Sequence, residues 1–315
     1  MMRILITGGA GYLGSVMVPV FLKEGHRVVV IDNFMYGQNP LAALKDDRNL
    51  TVVKGDVRDE ALIKRLLDEP DAIFPLACYT GAPLCDKFPK EAEEVSLKAI
   101  GTILKYRSKN QMIIFPTTNS GYGVGEKGKF CTEETPLRPI SLYGRLKVRA
   151  EEEILNARNG ITLRLATAFG VSPRMRLDLL VNDFTYKAVH VGRLKIFEGH
   201  FKRNYIHVKD IAKAFKHMLN GFDTLKDEPY NVGLSDANLS KLELCAEIKK
   251  QIPEFEFEES KDGKDPDQRD YIVSNEKIEK TGFRPEVSLP AGIAELIGLY
   301  RATDLKTVGY QVANV

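Results

Sequence analysis

The sequence lacks the features that mark a membrane protein, a secreted protein or a nucleic-acid-binding protein. None of its apolar stretches approaches the roughly 20 residues that a membrane-spanning helix needs. The first residues, "MMR", lead directly into a strand-like run, so no signal peptide is visible. The net charge is only +2, with 45 basic and 43 acidic residues mixed along the chain. We therefore expect neither a membrane nor a nucleic acid held on a basic face as partner.

Cysteine is scarce, and its distribution excludes the usual metal-binding patterns. The four cysteines, Cys78, Cys85, Cys131 and Cys245, show no paired spacing. A cytoplasmic chain would keep them reduced. We expect a cytoplasmic protein that binds no metal, and we interpret Cys78, close to an apolar run, as a packing residue.

The sequence does contain a regular alternation of short apolar runs and amphipathic segments. The apolar runs are rich in β-branched residues and lack a helical period, so they predict buried strands. The predicted strands are 3–7, 27–32, 50–53, 72–77, 111–117 and 161–167, and the predicted helices are 13–23, 60–67, 90–106 and 143–156. This alternation predicts an α/β fold with a doubly wound parallel sheet of the Rossmann type.

The strand–helix rhythm changes after about residue 170, which suggests a second, smaller α/β lobe. The segment 254–270 is polar and loop-rich, whereas 204–219 again reads as a strand followed by a helix. We therefore assign residues 1–170 and about 203–228 to a dinucleotide-binding domain. We assign about 171–202 and 229–315 to a smaller substrate-binding lobe.

A glycine-rich turn, "ITGGAGYLGS" (6–15), connects the first predicted strand to the first predicted helix. Gly8 would allow a tight turn, Gly11 would let a pyrophosphate approach the backbone, and Gly14 would let the helix pack closely on the strand. Amide groups at the helix N-terminus would then point at the anion. The position of these glycines at a strand–helix junction indicates a dinucleotide site, although a glycine-rich turn without a ligand remains the alternative.

Two acidic residues after the next strands bear on the choice of cofactor. Asp32 ends the second predicted strand, at about the usual ~20-residue separation from the glycine loop. A carboxylate there accepts hydrogen bonds from ribose hydroxyls and repels a 2′-phosphate, so NAD is favoured over NADP. Asp56, in "GDVRD" (55–59), could hydrogen-bond the adenine or could be an ordinary loop residue.

Tyr143 and Lys147, in "SLYGRLK" (141–147), are four residues apart and would share one face of a helix. The ammonium, together with a positive nicotinamide ring, would favour the phenolate over a phenol whose ordinary pKa is ~10. Such a tyrosine can take a proton from a hydroxyl while hydride leaves. Tyr205 and Lys209 have the same spacing, but their segment predicts a strand, where residues four apart are too distant to act together. Thr118, at the end of a predicted strand, could hold the substrate oxygen beside Tyr143.

With these residues in place, the chain resembles the extended short-chain dehydrogenase/reductase family, in particular its nucleotide-sugar epimerases, dehydratases and dehydrogenases. The resemblance covers nearly the whole chain. It rests on "TGGAGYLG", "DN" (32–33), "GDVRD", "LACYTGAP", "TTNSGYG", "CTEETPLRPISLYGRLK", "LRLATAFG", "RNYIHVKDIA" and "YNVG". It implies a Rossmann domain that holds NAD and a smaller lobe that binds a nucleotide-diphosphate sugar.

The resemblance also implies roles for individual residues. Thr118, Tyr143 and Lys147 match the family's catalytic Ser/Thr, Tyr and Lys. Arg203 and Arg269 match arginines that meet the nucleotide diphosphate, to which a guanidinium makes bidentate, charge-assisted bonds. The remaining positions are Tyr12, Leu13, Asn33, Val57, Leu76 and Ala77 for the cofactor, and Asn119, Arg174 and Arg176 for the substrate.

The stretch "TTNSGYG" (117–123) bears on the type of reaction. A 4,6-dehydratase of this family typically has acidic side chains at the two positions after the catalytic threonine, where this chain has Asn119 and Ser120. Neither side chain exchanges protons as a carboxylate does, so a dehydratase is disfavoured. A C4 dehydrogenase and a 4-epimerase share their first step and both remain open, and a non-catalytic NAD-binding sensor is a further alternative.

Three longer stretches narrow the resemblance. The segments "PTTNSGYGVGEK", "GVSPRMRLDLLVNDFTYKA" and "DPDQRDYIVSN" resemble dehydrogenases that oxidise C4 of a GDP-linked heptose in bacterial capsule pathways. The helices at 90–106 and 143–156 pair across a two-fold axis in many relatives. The resemblance therefore implies a homodimeric dehydrogenase.

Overall fold

The computed structural model describes residues 1–260, 269–305 and 313–314. Its strands are β1 Arg3–Thr7, β2 Arg27–Asp32, β3 Leu50–Lys54, β4 Ala72–Pro75, β5 Met112–Thr118, β6 Phe130–Cys131, β7 Gly160–Leu165, β8 Thr167–Phe169, β9 Arg193–Phe197, β10 Lys202–His207, β11 Pro229–Val232, β12 Asn238–Ser240, β13 Glu256–Ser260 and β14 Ile272–Val273.

Its α-helices are α1 Gly14–Lys23, α2 Glu60–Leu66, α3 Ala82–Lys87, α4 Pro89–Glu93, α5 Ala99–Tyr106, α6 Leu142–Asn156, α7 Leu180–His190, α8 Val208–Asn220, α9 Phe222–Leu225, α10 Lys241–Gln251, α11 Glu276–Lys280 and α12 Leu289–Ala302. Within the described ranges, no helix combines the length and the apolar character needed to span a membrane.

The largest sheet has seven parallel strands in the order β11-β7-β5-β4-β1-β2-β3. From β1 the strand order runs outward in both directions, so the chain reverses its direction of winding between β1 and β4. At such a switch point the loops after the two strands diverge and leave a crevice at the carboxyl ends. The predicted Rossmann-type parallel sheet is confirmed, and its geometry places the binding crevice after β1 and β4.

Both faces of this sheet are covered by helices, as the continuous apolar strands require. In β1, Ile4 and Ile6 pack on the side of α1 and α8, whereas Leu5 packs on the side of α2, α5 and α6. All three isoleucine and leucine side chains are fully buried. Burying each such side chain contributes about 1.5–3 kcal/mol relative to leaving it in water. Successive side chains of β1 therefore point to opposite faces of the sheet, and this one strand contributes to the hydrophobic core on each face.

Three smaller sheets lie outside this layer. They are β12-β10-β8, β13-β9 and β14-β6. The helix α8 follows β10 and packs against α1. The assignment of residues 203–228 to the first domain stays a prediction. The division between lobes at residue 229 stays a prediction. However, β11, which begins there, pairs with β7 in the large sheet rather than with the smaller sheets.

Several predicted boundaries differ from the structure. The predicted strand at 161–167 is two strands, β7 and β8, separated at Ala166, and β8 pairs with β10 outside the large sheet. The predicted helix at 90–106 consists of α4, a π-helical turn at Glu94–Lys98 and α5. Part of the predicted loop region at 254–270 is the strand β13, and its residues 261–268 lie outside the described part of the chain.

Candidate active site

One cavity lies at the carboxyl ends of the large sheet and gathers almost every residue that the sequence marks as functional. Its wall is formed by the glycine loop, the ends of β2, β4 and β5, the first turns of α6 and the segment before α7. The predicted residues that line it are Gly8, Gly11, Tyr12, Leu13, Gly14, Asp32, Asn33, Asp56, Val57, Leu76, Ala77, Thr118, Tyr143, Lys147, Arg174, Arg176 and Arg269. Asn119 and Arg203 do not line it.

The glycine loop has the close packing that the sequence predicts. Gly8 has a φ of +70°, and a Cβ there would lie 2.7 Å from the backbone nitrogen of Ala77. A Cβ on Gly14 would lie 2.5 Å from the Cα of Gly9. A Cβ on Gly11 would meet only the carbonyl oxygen of Gly8, at 3.1 Å, so Gly11 is required less by the fold than by close approach of a ligand.

The N-terminus of α1 is prepared for an anion. No side chain caps it, and its first turn contains no acidic residue. The first amide groups of a helix have no partner within the helix, and the helix dipole makes that end positive. A diphosphate lying over Gly11 would therefore receive hydrogen bonds that no protein side chain takes.

The carboxylate of Asp32 lies between the glycine loop and the turn after β2. One oxygen accepts a hydrogen bond from the Ala10 amide at 2.9 Å, and the other accepts from the Phe34 amide at 2.8 Å. Burial raises the pKa of this carboxyl, and the two amide bonds oppose the shift. Because each carboxylate oxygen has two lone pairs, one on each oxygen remains for ribose hydroxyls.

The structure gives Asp56 a partner that the sequence did not predict. Arg58 donates from Nη2 and Nε to the two oxygens of Asp56, at 2.7 and 2.9 Å. This hydrogen bonding to Arg58 lowers the pKa of Asp56 to about 2. Arg58 also lines the cavity, so the adenosine end of the site has a guanidinium as well as a carboxylate. An adenine contact by Asp56 stays a prediction.

Tyr143 and Lys147 are presented by the first turns of α6. The hydroxyl of Ser141 accepts a hydrogen bond from the Gly144 amide at 3.1 Å and caps the helix. Lys147 is buried, and its Nζ donates to the carbonyl oxygen of Pro116 at 2.8 Å. That carbonyl belongs to β5, two residues before Thr118. The three predicted catalytic residues thus come together from one helix and one strand end.

In the protein itself, the pKa of Tyr143 is raised rather than lowered. Burial is the main cause, and the nearby thiols of Cys78 and Cys85 act in the same direction. The cations that oppose the shift are Arg176 and Arg269. The Lys147 ammonium is directed at the Pro116 carbonyl. A lowering of the Tyr143 pKa by Lys147 together with a bound nicotinamide stays a prediction.

The hydroxyl of Ser120 and the guanidinium of Arg269 lie beside Thr118. The Thr118 hydroxyl donates to Ser120 Oγ at 2.9 Å, and Arg269 Nη1 donates to the same oxygen. Asn119 is fully buried away from the cavity, and its amide has no hydrogen-bond partner among the described residues. Among the two positions where a dehydratase has acids, only Ser120 faces the cavity.

Arg203 lies behind the cavity wall rather than in it. Its side chain is buried, donates to the Lys202 carbonyl at 2.8 Å, and lies 5.6 Å from the ring centre of Tyr271. Tyr271, which the sequence did not single out, is the residue that faces the cavity. A contact of Arg203 with a nucleotide diphosphate stays a prediction that requires Tyr271 to move.

Tyr205 and Lys209, the second Tyr–Lys pair, lie on different elements. The strand-like sequence of this segment predicted that they would not act together. Tyr205 is fully buried on β10, outside the cavity, whereas Lys209 is on α8 and pairs with Glu295. The same spacing that brings Tyr143 and Lys147 to one cavity therefore has no catalytic meaning here.

The cavity also contains residues that sequence reasoning missed or interpreted otherwise. Cys78 is a wall residue rather than a core residue, and its thiol lies 3.1 Å from the Thr80 hydroxyl. Tyr36 lines the cavity from the turn after β2, and Asn314 from the far end of the chain. Arg58 lies inside the motif "GDVRD" and Tyr36 follows "DN" by three positions, so both could have been found from those motifs. Asn314 carries no local signal.

Comparison with known proteins identifies the family to which the chain belongs. The sequence model of the NAD dependent epimerase/dehydratase family matches residues 4–233. The chain belongs to this family, is an enzyme and uses NAD as its cofactor. Relatives named for nucleotide sugars include a dTDP-glucose 4,6-dehydratase and UDP-glucose 4-epimerases.

Three relatives illustrate the range within the family. The dTDP-glucose 4,6-dehydratase of Streptomyces niveus is 28% identical, over 95% of this chain and 93% of its own. The structure of DesIV, a dTDP-glucose 4,6-dehydratase from Streptomyces venezuelae with NAD and TYD bound, is 26% identical with a TM-score of 0.82, over 96% of this chain and 97% of its own. The UDP-glucose 4-epimerase of Thermotoga maritima with UDP-glucose is 25% identical with a TM-score of 0.80, over 96% and 99%.

Proposed function

We propose that this enzyme oxidises C4 of a nucleotide-diphosphate sugar to a 4-keto sugar and releases that product. The observation that carries the proposal is the convergence of Thr118, Tyr143 and Lys147 on the cavity that holds the glycine loop and Asp32. The narrower resemblance of the sequence favours a GDP-linked heptose as the substrate.

Each catalytic side chain has a separate task. Tyr143, once deprotonated, takes the proton of the C4 hydroxyl, so that the C–H bond can give up its hydrogen as hydride. Thr118 orients the same oxygen by a hydrogen bond. One N–H group of the Lys147 ammonium donates a hydrogen bond to the Pro116 carbonyl, and the other two can donate to ribose hydroxyls. Bound NAD⁺ supplies the acceptor for the hydride.

A dehydration after the oxidation is disfavoured because neither of the two residues that follow Thr118, Asn119 and Ser120, carries a carboxylate. Elimination of water requires a base for the C5 proton and an acid for the leaving hydroxyl. The Ser120 hydroxyl does not exchange protons as a carboxylate does, and its oxygen accepts a hydrogen bond from Arg269 Nη1. A guanidinium stays protonated and cannot serve as the base.

A 4-epimerase is the second candidate, because the same three residues perform its first step. Relatives named UDP-glucose 4-epimerase align with most of the chain, including one from Corynebacterium glutamicum that is 27% identical over 90% of this chain. An epimerase would return the hydride to the opposite face of the keto sugar. The two candidates therefore differ in net redox change.

The test is to incubate the enzyme with NAD⁺ and a panel of GDP-, UDP- and dTDP-linked sugars. The proposal expects NADH and a 4-keto sugar in equal amounts. An epimer mixture without net NADH formation would instead establish the epimerase. Tyr143→Phe should be inactive on every sugar. Tyr205→Phe is the matched control, because its hydroxyl is buried outside the cavity and has no hydrogen-bond partner among the described residues.

We further propose that the enzyme is a homodimer in the cytoplasm, paired through the helical segments 90–106 and 143–156. The outward face of α6 carries Arg145, Arg149 and Glu152, all exposed. The outward side of the other segment includes Lys98 and Lys105, also exposed. These exposed charges are mostly positive, so the pairing has to be stabilised by the other residues of the two segments.

A further inference from the structure

Arg174 is a buried cation that lacks a counter-ion in the protein. Its side chain is only 1% exposed, yet it lines the cavity. Its two terminal nitrogens have long contacts to the carbonyl oxygens of Met175 and Ala313, at 3.4 and 3.5 Å, and its Nε has no hydrogen-bond partner. In the described part of the chain it forms no ion pair. A buried charge of this kind is costly unless a ligand supplies the opposite charge.

The carboxylates nearest to Arg174 are already committed to other groups. Both carboxylate oxygens of Asp178 accept from Arg176, from Nε and Nη2, and Oδ1 also accepts from the Asn314 backbone amide at 3.2 Å. Asp32 accepts two backbone amides. Burial lowers the pKa of Arg174, whereas the carboxylate of Asp178 keeps the pKa of Arg176 above its ordinary value despite burial. Arg174 is therefore the arginine of this pair that needs an external anion.

The position of Arg174 identifies which anion it faces. Its guanidinium lies 3.8 Å from the ring centre of Tyr36, in the turn that follows Asp32. The chain leading to it rests on the glycine loop, because Ser172 Oγ donates to the Tyr12 carbonyl at 2.7 Å and lies 3.0 Å from Ser15 Oγ. The chain two residues before Arg174 is thus held against the start of α1, where the dinucleotide's diphosphate is expected.

We propose that Arg174 binds the diphosphate of NAD from the side opposite the glycine loop. Backbone amides at the start of α1 would hold one edge of the diphosphate, and the guanidinium fork would hold another. Stacking on Tyr36 limits the rotation of the guanidinium, so little freedom is lost on binding. The sequence placed Arg174 with the sugar nucleotide, and its location beside Asp32 and Tyr36 favours the dinucleotide instead. This inference depends on NAD binding and not on the identity of the sugar.

The test uses R174M, with binding of NAD⁺, UDP and GDP measured by calorimetry on protein freed of bound dinucleotide. The dissociation constant for NAD⁺ should rise at least tenfold, which corresponds to about 1.4 kcal/mol. Binding of UDP and GDP should change less. R158M is the matched control, because Arg158 is exposed, pairs with Asp227 and does not line the cavity.

A second readout separates ligand binding from a structural role. Because the buried charge has no partner, R174M without ligand should unfold at a temperature no lower than that of the wild type, and NAD⁺ should stabilise it less. If R174M does not fold, R174Q is measured against the same tenfold criterion. The proposal is overturned if NAD⁺ affinity stays within twofold of the wild type, or if UDP or GDP binding falls at least as much as NAD⁺ binding.

Discussion

A buried ion pair between Glu151 and Arg164 connects the catalytic helix to the central sheet. Glu151 and Arg164 are 2% and 6% exposed, and Arg164 donates to the carboxylate from Nη2 at 2.7 Å and from Nε at 3.0 and 3.3 Å. Its Nη1 donates to the Tyr122 hydroxyl at 3.1 Å and to the Glu133 carbonyl at 3.0 Å. Tyr143, Lys147 and Glu151 are spaced four residues apart on α6, so they share one helix face. We expect this pair to fix the rotation of α6.

The magnitude follows from what each substitution leaves behind. Glu151→Gln leaves Arg164 as an uncompensated buried cation, and Arg164→Met leaves Glu151 as an uncompensated buried anion. Each should lower the free energy of unfolding by about 3–5 kcal/mol. Replacing both, as in E151L/R164M, removes both charges but also the bonds to Tyr122 and the Glu133 carbonyl, each worth about 1 kcal/mol. The double variant should therefore lose only about 2 kcal/mol, and the coupling should be several kcal/mol.

The assay is urea unfolding of the four proteins in the cycle. Lys250→Met is the matched control, because Lys250 pairs with Glu247 at 2.6 Å on the protein surface, with the lysine side chain 68% exposed. That change should cost less than about 1 kcal/mol. Turnover of Glu151→Gln, measured well below its unfolding temperature, should also fall. A double variant as unstable as the sum of the singles would refute the reasoning, as would a Lys250→Met variant that loses as much as Glu151→Gln.

Three further predictions concern Tyr143 and the oligomeric state. Tyr143→Phe should lower turnover by about 10²–10⁴-fold while NAD content after purification stays that of the wild type; a fully active variant would contradict the assigned base. Because burial raises the pKa of Tyr143 in the protein alone, a bound pyridinium that lowers this pKa must release protons, so NAD⁺ affinity should increase with pH. Calorimetry should show this trend in the wild type and not in Tyr143→Phe, and identical pH profiles would exclude it. The proposed homodimer should give twice the chain mass in light scattering at micromolar concentration; a monomeric mass would rule it out.

The parts of the fold that could be predicted from the sequence are those set by local pattern. Apolar runs such as 27–32 form central strands because they cannot be solvated on either face. The glycine loop was predictable because Gly8 and Gly14 are required by atoms within their own strand–turn–helix unit and the neighbouring strand. The catalytic pair was predictable for the same reason, since one helix carries both residues.

The parts that could not be predicted depend on packing between distant segments. Arg203 shares a family position with diphosphate-binding arginines, but it does not line the cavity, whereas its neighbour Tyr271, from another part of the chain, does. The break at Ala166 arises because β8 pairs with β10 rather than with the large sheet. Whether Arg174 has a counter-ion depends on Asp178 being paired with Arg176, which no linear pattern encodes.

The outcome of the reaction depends on the group that stands beside Thr118 after the ketone has formed. A carboxylate there would take the proton at C5 and lead to elimination. In this protein the group is the Ser120 hydroxyl, whose oxygen accepts a hydrogen bond from the permanently charged Arg269 guanidinium. The same positive charge opposes the burial that raises the pKa of Tyr143, so Arg269 favours the phenolate needed for the first step. A residue that assists oxidation and supplies no base would therefore favour a keto sugar as the product, which is the chemical basis for preferring a dehydrogenase over a dehydratase.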